Sequence, residues 1–254
     1  MMLSTTTKGK AIFKVIAVLF LWLLFWEIAA IIFNNEILLP SPIATAKTLL
    51  SLMQTGEFYL AVILSLLRII GGYGLGIIIG ISGGVLSYHS KLFNALFSPI
   101  IKIVRAVPVA SFIILAFVWF KSDILPVFIC FLMVMPMIWN SVQSGLENID
   151  IKYLELAQVY SLGYFKTLVN IKLPIIIPSV ISTAFTALGF AWKSGIAAEV
   201  ICKPVSSIGG MLRDAQVYIE MSEVFAVTAV VALLSILLES TIKRFIKEKK
   251  NDKA

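Results

Sequence analysis

Some ionisable side chains lie inside apolar stretches of this chain, where a charge is costly unless it is paired or reaches water. Arg68 lies in the apolar run 58–87, and Lys193 and Glu199 lie in the run 175–200. Arg68 and Lys193 could offer positive charge to an anion. The alternative is that each cation is paired within the protein and serves packing, Lys193 for example with Glu199 or Glu27. The sequence alone leaves both interpretations open.

Motifs for nucleotide binding, metal binding or nucleophilic catalysis are absent from the sequence. A Gly-rich Lys-Ser/Thr element is absent, so we expect no P-loop binding of ATP, and metal-ligand clusters and nucleophile motifs are absent too. Cys130 and Cys202 do not form a disulfide framework. His89 lies in a polar break, which is more typical of a solvated loop residue than of a metal ligand. We therefore predict a chain that is not an enzyme and has no cofactor and no metal site.

The composition is that of a membrane protein. Of the 254 residues, 59% are hydrophobic and only 14% are charged, and the mean hydropathy is +0.98. A soluble domain of this size needs far more polar surface, so we predict a protein that crosses the lipid bilayer several times. The net charge of +7 would suggest nucleic acid in a soluble protein. Here Lys and Arg on cytoplasmic loops explain it better, and no nucleic acid is expected.

The elements that position the charged residues are predicted to be six transmembrane helices. A bilayer needs about 20 apolar residues per span, and six runs meet this length. They cover approximately residues 11–33, 58–87, 99–120, 126–144, 175–200 and 224–242. We expect an all-α protein with one transmembrane domain over residues 1–254.

The distribution of basic residues predicts the orientation of these helices. Lys and Arg collect in both terminal tails, between the second and third runs, and in the loop 147–174. The alternate connectors hold only Lys47, Lys121, Lys203 and Arg213. The positive-inside rule therefore places both termini and the loop 147–174 in the cytoplasm.

Glycines in the second run predict close helix packing. Gly72, Gly76, Gly80 and Gly84 recur at every fourth position. This spacing gives a smooth strip on one helix face, where another helix can approach closely. The partner helix could belong to the same chain or to a second copy, and a substrate-lining role is the alternative.

The loop 147–174 is amphipathic and too highly charged to lie in hydrocarbon. Its apolar residues recur at spacings of three to five, as on one face of a helix. Asp150 is a suitable N-cap, residues 161–163 a break, and Pro174 a stop before the next span. We predict two short helices at the membrane surface that offer one face to a partner. An ordinary loop packed under its own protein is the alternative.

This loop resembles the EAA loop of permease subunits in binding-protein-dependent ABC importers. Leu156 replaces an Ala of that pattern, and Ser161 stands where the pattern has Gly, with Gly163 two residues later. Either Ser161 adopts the positive φ that the glycine supplies, or the turn has moved to Gly163. The residues in register are Glu155, Ala157, Ile171, Leu173 and Pro174.

Further elements resemble this family in the same order. Leu39-Pro40-Ser41-Pro42 after the first run is similar to its nitrate/sulfonate/taurine branch. The other elements resemble the family as a whole: Arg68 followed by Gly72 in the second run, Val104 to Pro108, and Ala191 and Trp192 with Glu199 in the fifth. The resemblance covers approximately residues 39–243. It implies a type I importer permease fold with a core at about 58–243.

The resemblance also implies partners and site residues. The partners are two copies of an ATP-binding subunit, an extracytoplasmic solute-binding protein and a second copy of this chain, in a bacterial plasma membrane. The solute would be small and anionic, such as a sulfonate, taurine, nitrate or a pyrimidine-type precursor. Coupling to the ATPase would involve Glu155, Ala157, Ser161, Gly163, Ile171, Leu173 and Pro174. The candidates for the translocation path are Arg68, Trp192, Lys193 and Glu199.

A secondary transporter or channel driven by an ion gradient is the alternative from another functional class. Arg68, Lys193 and Glu27 would then form its relay. That alternative predicts activity without an ATPase, and it leaves the loop 147–174 unexplained.

Overall fold

The computed structural model describes the backbone of residues 5–251 and the side chains of Lys14 and residues 17–241. The ends of both tails, and most of the basic side chains predicted there, lie outside the described residues. All regular structure within this part of the chain is helical, which confirms the predicted all-α fold. The helices are α1 Thr5–Phe33, α2 Pro42–Leu52, α3 Gly56–His89, α4 Lys91–Ala106, α5 Val109–Phe117, α6 Leu125–Glu147, α7 Ile151–Val159, α8 Tyr164–Thr167, the π-helical turn Leu168–Lys172, α9 Leu173–Cys202, α10 Ile208–Val217 and α11 Met221–Asn251.

Four segments are long and apolar enough to cross a membrane, namely Gly56–His89, Leu125–Glu147, Tyr164–Cys202 and Met221–Thr241. In α1 the apolar part with described side chains, Ala17–Phe33, is shorter. The third predicted span, residues 99–120, is divided, because α4 and α5 meet there at an angle of 104°. This agrees with the expectation that Pro108 kinks or starts a helix.

The cause of this bend is the Val107-Pro108 pair. A proline disfavours the α conformation in the residue before it, and Val107 is extended, with φ −79° and ψ 132°. Pro108 itself caps the start of α5, as expected for a residue without a backbone N–H. The nine residues of α5 extend over about 14 Å, less than half of the hydrocarbon thickness of about 30 Å. The third predicted span is therefore a broken element.

The centre of the fold is the seam between α3 and α6. A Cβ atom added to Gly76 would lie 2.6 Å from Cβ of Val134, and one added to Gly84 would lie 2.7 Å from the carbonyl oxygen of Trp139. Gly72 and Gly80 face α6 in the same way. The glycine strip therefore packs within one chain, with almost no side chain between the two helices.

Helix α9 completes the core against this pair. Gly195 of α9 lies against Ile69 of α3 and Cys130 of α6, each within 2.7 Å of where its Cβ would be. The buried cluster around them includes Ala191 and Trp192 of α9. The three helices α3, α6 and α9 thus hold the polar residues described next.

Candidate functional site

Glu199, one of the predicted path residues, is completely buried near the end of α9. Its Oε2 atom accepts hydrogen bonds from Ser65 Oγ at 2.7 Å and from the backbone N–H of Gly209 at 3.2 Å. Its Oε1 atom lies 3.6 Å from Nη1 of Arg68. A buried carboxylate needs such partners, since an unpaired charge in the interior is very costly. The predicted pairing of Lys193 with Glu199 is therefore wrong: the cation that pairs with Glu199 is Arg68.

Arg68 ties three parts of the chain together. Its Nη2 atom donates to the carbonyl oxygen of Val205 at 2.8 Å and to Oδ1 of Asp123 at 3.0 Å. Its Nη1 atom donates to the carbonyl oxygen of Ser206 at 3.2 Å. The rigid, forked guanidinium suits this role, because it can serve several acceptors at fixed angles. We call Arg68, Glu199, Ser65, Asp123 and Gly209 the ionic clasp.

The ionic clasp also completes the start of α10. The first N–H groups of a helix lack partners within the helix. Here Ile208 N donates to Ser65 Oγ, Gly209 N to Glu199 and Gly210 N to the N-cap Ser207. A Cβ on Gly209 would lie 2.3 Å from Cβ of Glu199, so this close approach requires glycine. The negative carboxylate at a helix N-terminus is also favourable.

Trp192, another predicted path residue, is buried, and its Nε1 atom donates to the carbonyl oxygen of Val231 in α11 at 3.1 Å. Arg68, Trp192 and Glu199 thus all hold helices to one another within this chain. None of the three lines the groove on α9 to which Lys193 contributes.

Lys193, by contrast, points into a groove of about 560 Å³ on the outer face of α9. Ser182, Thr186 and Gly189 line the same groove, at positions that share one helix face with Lys193. Glu239 of α11 lies at its side. The groove combines hydroxyl groups, one cation and one carboxylate with two aromatic rings, which suits contact with a small polar solute.

The α7–α8 loop (residues 147–174) begins as predicted. Asp150 is the N-cap of α7, and its side chain accepts from the backbone N–H of Lys152 at 3.0 Å. Leu154 and Ala157 face the fold: Leu154 packs against the buried core, and Ala157 is 4% exposed. Ala157, expected to contact an ATPase, is thus covered by its own chain. Glu155 is exposed.

The turn after α7 settles the question of the missing glycine. Ser161 has φ 51°, and Gly163 has φ −63°, so the turn has not moved to Gly163. Leu162 N donates to the carbonyl oxygen of Ala157 at 2.8 Å, and Ser161 N to that of Gln158 at 2.9 Å. This is the Schellman pattern, in which the left-handed residue is usually glycine. Ser161 adopts the conformation of the residue it replaces.

The exit of the loop differs from the expected stop at Pro174. A π-helical turn over Leu168–Lys172 continues directly into α9, and Pro174 occupies one of its first two positions, where a missing N–H is tolerated. The segment Tyr164–Cys202 is therefore one span-like helical element. Ile171 is half-buried, whereas Leu173 and Pro174 are exposed. The loop is joined to α9 by helix rather than by a flexible linker.

Comparison with known families decides the class of protein. The family model described as "binding-protein-dependent transport system inner membrane component" matches residues 72–249. The chain belongs to this family of ABC importer permeases. Its relatives in the family are permease subunits rather than enzymes, and the ATPase is a separate subunit. Membership of this family favours an ABC importer subunit over a transporter driven by an ion gradient.

Relatives of this permease carry names from the predicted branch. The aliphatic sulfonates transport permease protein SsuC of Bacillus subtilis is 25% identical over 206 residues, which is 81% of this chain and 74% of that protein. The bicarbonate transport system permease protein CmpB of Synechococcus elongatus is 27% identical over 179 residues, which is 70% of this chain and 64% of that protein.

Solved structures show the same fold. A chain of the methionine ABC transporter MetNI in an inward-facing conformation has a TM-score of 0.63 at 17% identity, over 76% of this chain and 95% of that chain. An amino acid ABC transporter solved with histidines has a TM-score of 0.65 at 14% identity, over 80% of this chain and 97% of that chain. These neighbours confirm a type I importer permease fold, and the family implies ATPase and binding-protein partners.

Several residues of the ionic clasp were not predicted from the sequence. Ser65 and Asp123 are far from Glu199 along the chain, whereas Gly209 follows it by ten residues. Nothing in the local sequence marks any of the three as a neighbour of Glu199. One signal was available, because Ser65 and Arg68 are three residues apart on α3 and so share a helix face.

Proposed function

We propose that this permease imports a small anionic solute, and that its α7–α8 loop binds and couples to a separate ATPase subunit. The observation that carries the proposal is the loop itself. It has the register of an EAA loop, a Schellman turn at Ser161, and a helical exit into α9. A surface element that transmits force should be stiff where it enters the membrane domain, and a helical exit provides that stiffness.

Exposed apolar side chains on the α7–α8 loop support a protein partner. Val159 is 80% exposed, Tyr160 70% and Phe165 74%. In a membrane span such residues would face lipid, but here Lys152, Glu155 and Lys166 lie among them. An apolar surface with charged neighbours at the membrane boundary is typical of a protein–protein contact. Glu155 would lie at that contact with Ser161 and Gly163. Ala157 would shape it from below, with Ile171, Leu173 and Pro174 at the exit.

We further propose an assembly of two copies of this chain with two ATP-binding subunits, and a solute-binding protein on the opposite side. Both termini would lie in the cytoplasm, on the side of the α7–α8 loop, and the membrane would be a bacterial plasma membrane. The basic residues of the loop and of the two tails support this orientation.

Within the translocation path, we assign the solute-facing role to the α9 groove with Lys193. Arg68, Trp192 and Glu199 support it by holding α9, α3 and α11 in place. One relative is named for aliphatic sulfonates and another for bicarbonate, and both solutes are anions. A single lysine beside Ser182 and Thr186 is suited to such a charge.

The coupling proposal is tested with Glu155→Lys. The tagged chain is expressed with its ATPase and purified from membranes, and the ATPase that co-purifies is quantified. We expect Glu155→Lys to lose most of the bound ATPase, because it reverses a charge at the centre of the contact. Glu36→Lys is the control, since Glu36 is an exposed residue of the α1–α2 connector. Equal amounts of ATPase on both variants would overturn the coupling role of the loop.

The path proposal has a separate test. ATP-driven uptake into liposomes is measured for ethanesulfonate and bicarbonate, with the binding protein that co-purifies. Lys193→Gln should reduce uptake about 10-fold or more, as for the loss of one charge contact, and Lys193→Arg should retain most of it. If Lys193→Gln transported these anions as well as the wild type, Lys193 would not contact the solute.

A further inference from the structure

The end of α3 is attached to the second half of the α7–α8 loop by two neighbouring side chains. His89 is the last residue of α3, and its Nε2 atom lies 2.6 Å from the hydroxyl of Tyr164, the first residue of α8. Tyr88 accepts a hydrogen bond from Nζ of Lys172 at 3.3 Å, at the end of the π-helical turn. We call these four residues the α3 strap.

The directions of these hydrogen bonds follow from the acceptors. His89 Nδ1 lies 2.9 Å from the carbonyl oxygen of Val85. A carbonyl oxygen only accepts, so Nδ1 carries a proton, and an Nε2 atom without a proton accepts from the Tyr164 hydroxyl. The rings of His89 and Tyr164 also meet edge to face, with centroids 6.0 Å apart. The Val85 carbonyl thus fixes the imidazole in the orientation that Tyr164 requires.

The contact with Lys172 has two parts as well. Besides its hydrogen bond to the Tyr88 hydroxyl, the Lys172 ammonium lies 4.9 Å from the centroid of the Tyr88 ring. A cation over an aromatic face is attracted by the ring quadrupole. The strap therefore grips both ends of the segment 164–172, at its first residue and at its last.

The mechanical consequence depends on what lies behind each attachment point. The segment 164–172 continues as helix into α9, so its motion reaches α9 through the backbone. Helix α3 is in close backbone contact with α6 along the glycine seam, so the two helices must move together. A link from the segment to the end of α3 therefore also reaches α6.

We propose that the α3 strap is a second mechanical link, through which movement of the α7–α8 loop is passed to the α3–α6 pair as well as to α9. Tyr88, His89, Tyr164 and Lys172 are positioning residues in this role. The inference rests on the proposed coupling of the loop to an ATPase, but the contact itself can be tested without that partner.

The first experiment measures amide hydrogen exchange over residues 164–172 in the purified chain in lipid nanodiscs, without ATPase. Tyr164→Phe removes one hydroxyl and keeps the ring, and Lys172→Met removes the ammonium and keeps the apolar stem. Each variant should speed exchange in this segment about two- to tenfold, the effect of one lost hydrogen bond. The controls are Tyr153→Phe and Lys152→Met in α7, which should leave exchange at the wild-type rate.

A rescue variant separates the hydrogen bond from general damage to the fold. His89→Gln retains an acceptor near the Nε2 position and should keep slow exchange, whereas His89→Leu should match Tyr164→Phe. The double variant His89→Leu/Tyr164→Phe should be no faster than either single variant, because both remove the same bond. Additive effects, or unchanged exchange in Tyr164→Phe, would show that the strap does not hold the segment.

The second experiment tests transmission. Spin labels are attached at Leu86→Cys on α3 and Lys166→Cys on α8 in the assembled transporter, where the native Cys130 and Cys202 are buried. In the wild type the distance between the labels should stay constant when ATP and vanadate trap the complex, because α3 follows the loop. In Tyr164→Phe/Lys172→Met this constancy should be lost.

A constant distance in that double variant would overturn the link even if exchange were faster. If the wild-type chain bound no ATPase, the coupling proposal would fail first. The exchange experiment would still report whether the strap exists.

Discussion

The two ends of α3 differ in how deeply their polar contacts are buried. Towards its start, Ser65 and Arg68 contribute to the ionic clasp, in which a fully buried carboxylate is held by contacts from several separate segments. At its last turn, about 36 Å further along the helix, Tyr88 and His89 hold the α7–α8 loop through exposed or half-buried contacts. Local stability varies in this way within one protein, and the weakly held elements are the ones that move. The clasp end is suited to hold α3 and α9 together, while the strap end follows the movement of the loop.

The largest expected effect is at the ionic clasp. Glu199→Ala leaves Arg68 half-paired and two N–H or O–H donors without their acceptor, so it should lower the free energy of unfolding by about 3–5 kcal/mol. Denaturant unfolding in detergent micelles measures this value. The exposed control Glu36→Gln should stay within about 0.5 kcal/mol of the wild type. If Glu199→Ala were as mild as this control, the clasp would not be the rigid end of the molecule.

The next effect concerns the seam that joins the two ends. Gly76→Val places methyl groups where Cβ alone would already be 2.6 Å from Val134. Overpacking of this kind costs about 1–3 kcal/mol or more. Gly74→Val on the same helix is the matched control, because nothing lies within 4 Å of its Cβ position. The same unfolding assay should separate the two variants clearly, and equal stability would mean that the seam is not tightly packed.

A smaller effect, of opposite sign, is expected in the loop. Ser161 holds a left-handed conformation that costs an L-residue about 1–2 kcal/mol. Ser161→Gly removes this cost and should slow hydrogen exchange in the turn 160–163, while exchange at the ionic clasp stays the same. Faster exchange in the glycine variant would show that the serine side chain stabilises the turn in another way.

The smallest effect is expected two residues later. Gly163 has an ordinary negative φ and open space around its Cβ position. Gly163→Ala should therefore change local stability by no more than about 0.5 kcal/mol. Exchange in the turn 160–163 again provides the measurement. A large loss would place the essential glycine at residue 163 after all.

The sequence predicted those features that depend on local pattern. The glycine strip of α3 appears as a four-residue repeat, and the loop 147–174 is predicted to contain short helices, of which α7 is one. Local sequence patterns could not predict which charged residues pair between distant helices. The partner of Glu199 proved to be Arg68, 131 positions away, because helix packing and not sequence proximity brings them together.

Two features of single elements have local causes. The run 99–120 has the length of one span, but Pro108 and the restriction that it places on Val107 divide it into α4 and α5. The prediction of a stop at Pro174 is wrong, because a proline in the first turn of a helix needs no donor and can follow directly from the π-helical turn. Composition reports whether a segment suits a membrane, whereas the direction of the backbone depends on single residues.

The π-helical turn at Leu168–Lys172 sets an angular phase between the loop and the membrane domain. A π turn holds one residue more than an α turn, and each residue of an α-helix advances the side chains by about 100°. The part of the α7–α8 loop before residue 168 is therefore rotated about the axis of α9, compared with its orientation in a regular helix. This rotation aims Tyr164 at α3, while Lys193 further along faces the groove. Deleting a single residue from the turn would change this rotation and point the loop in the wrong direction.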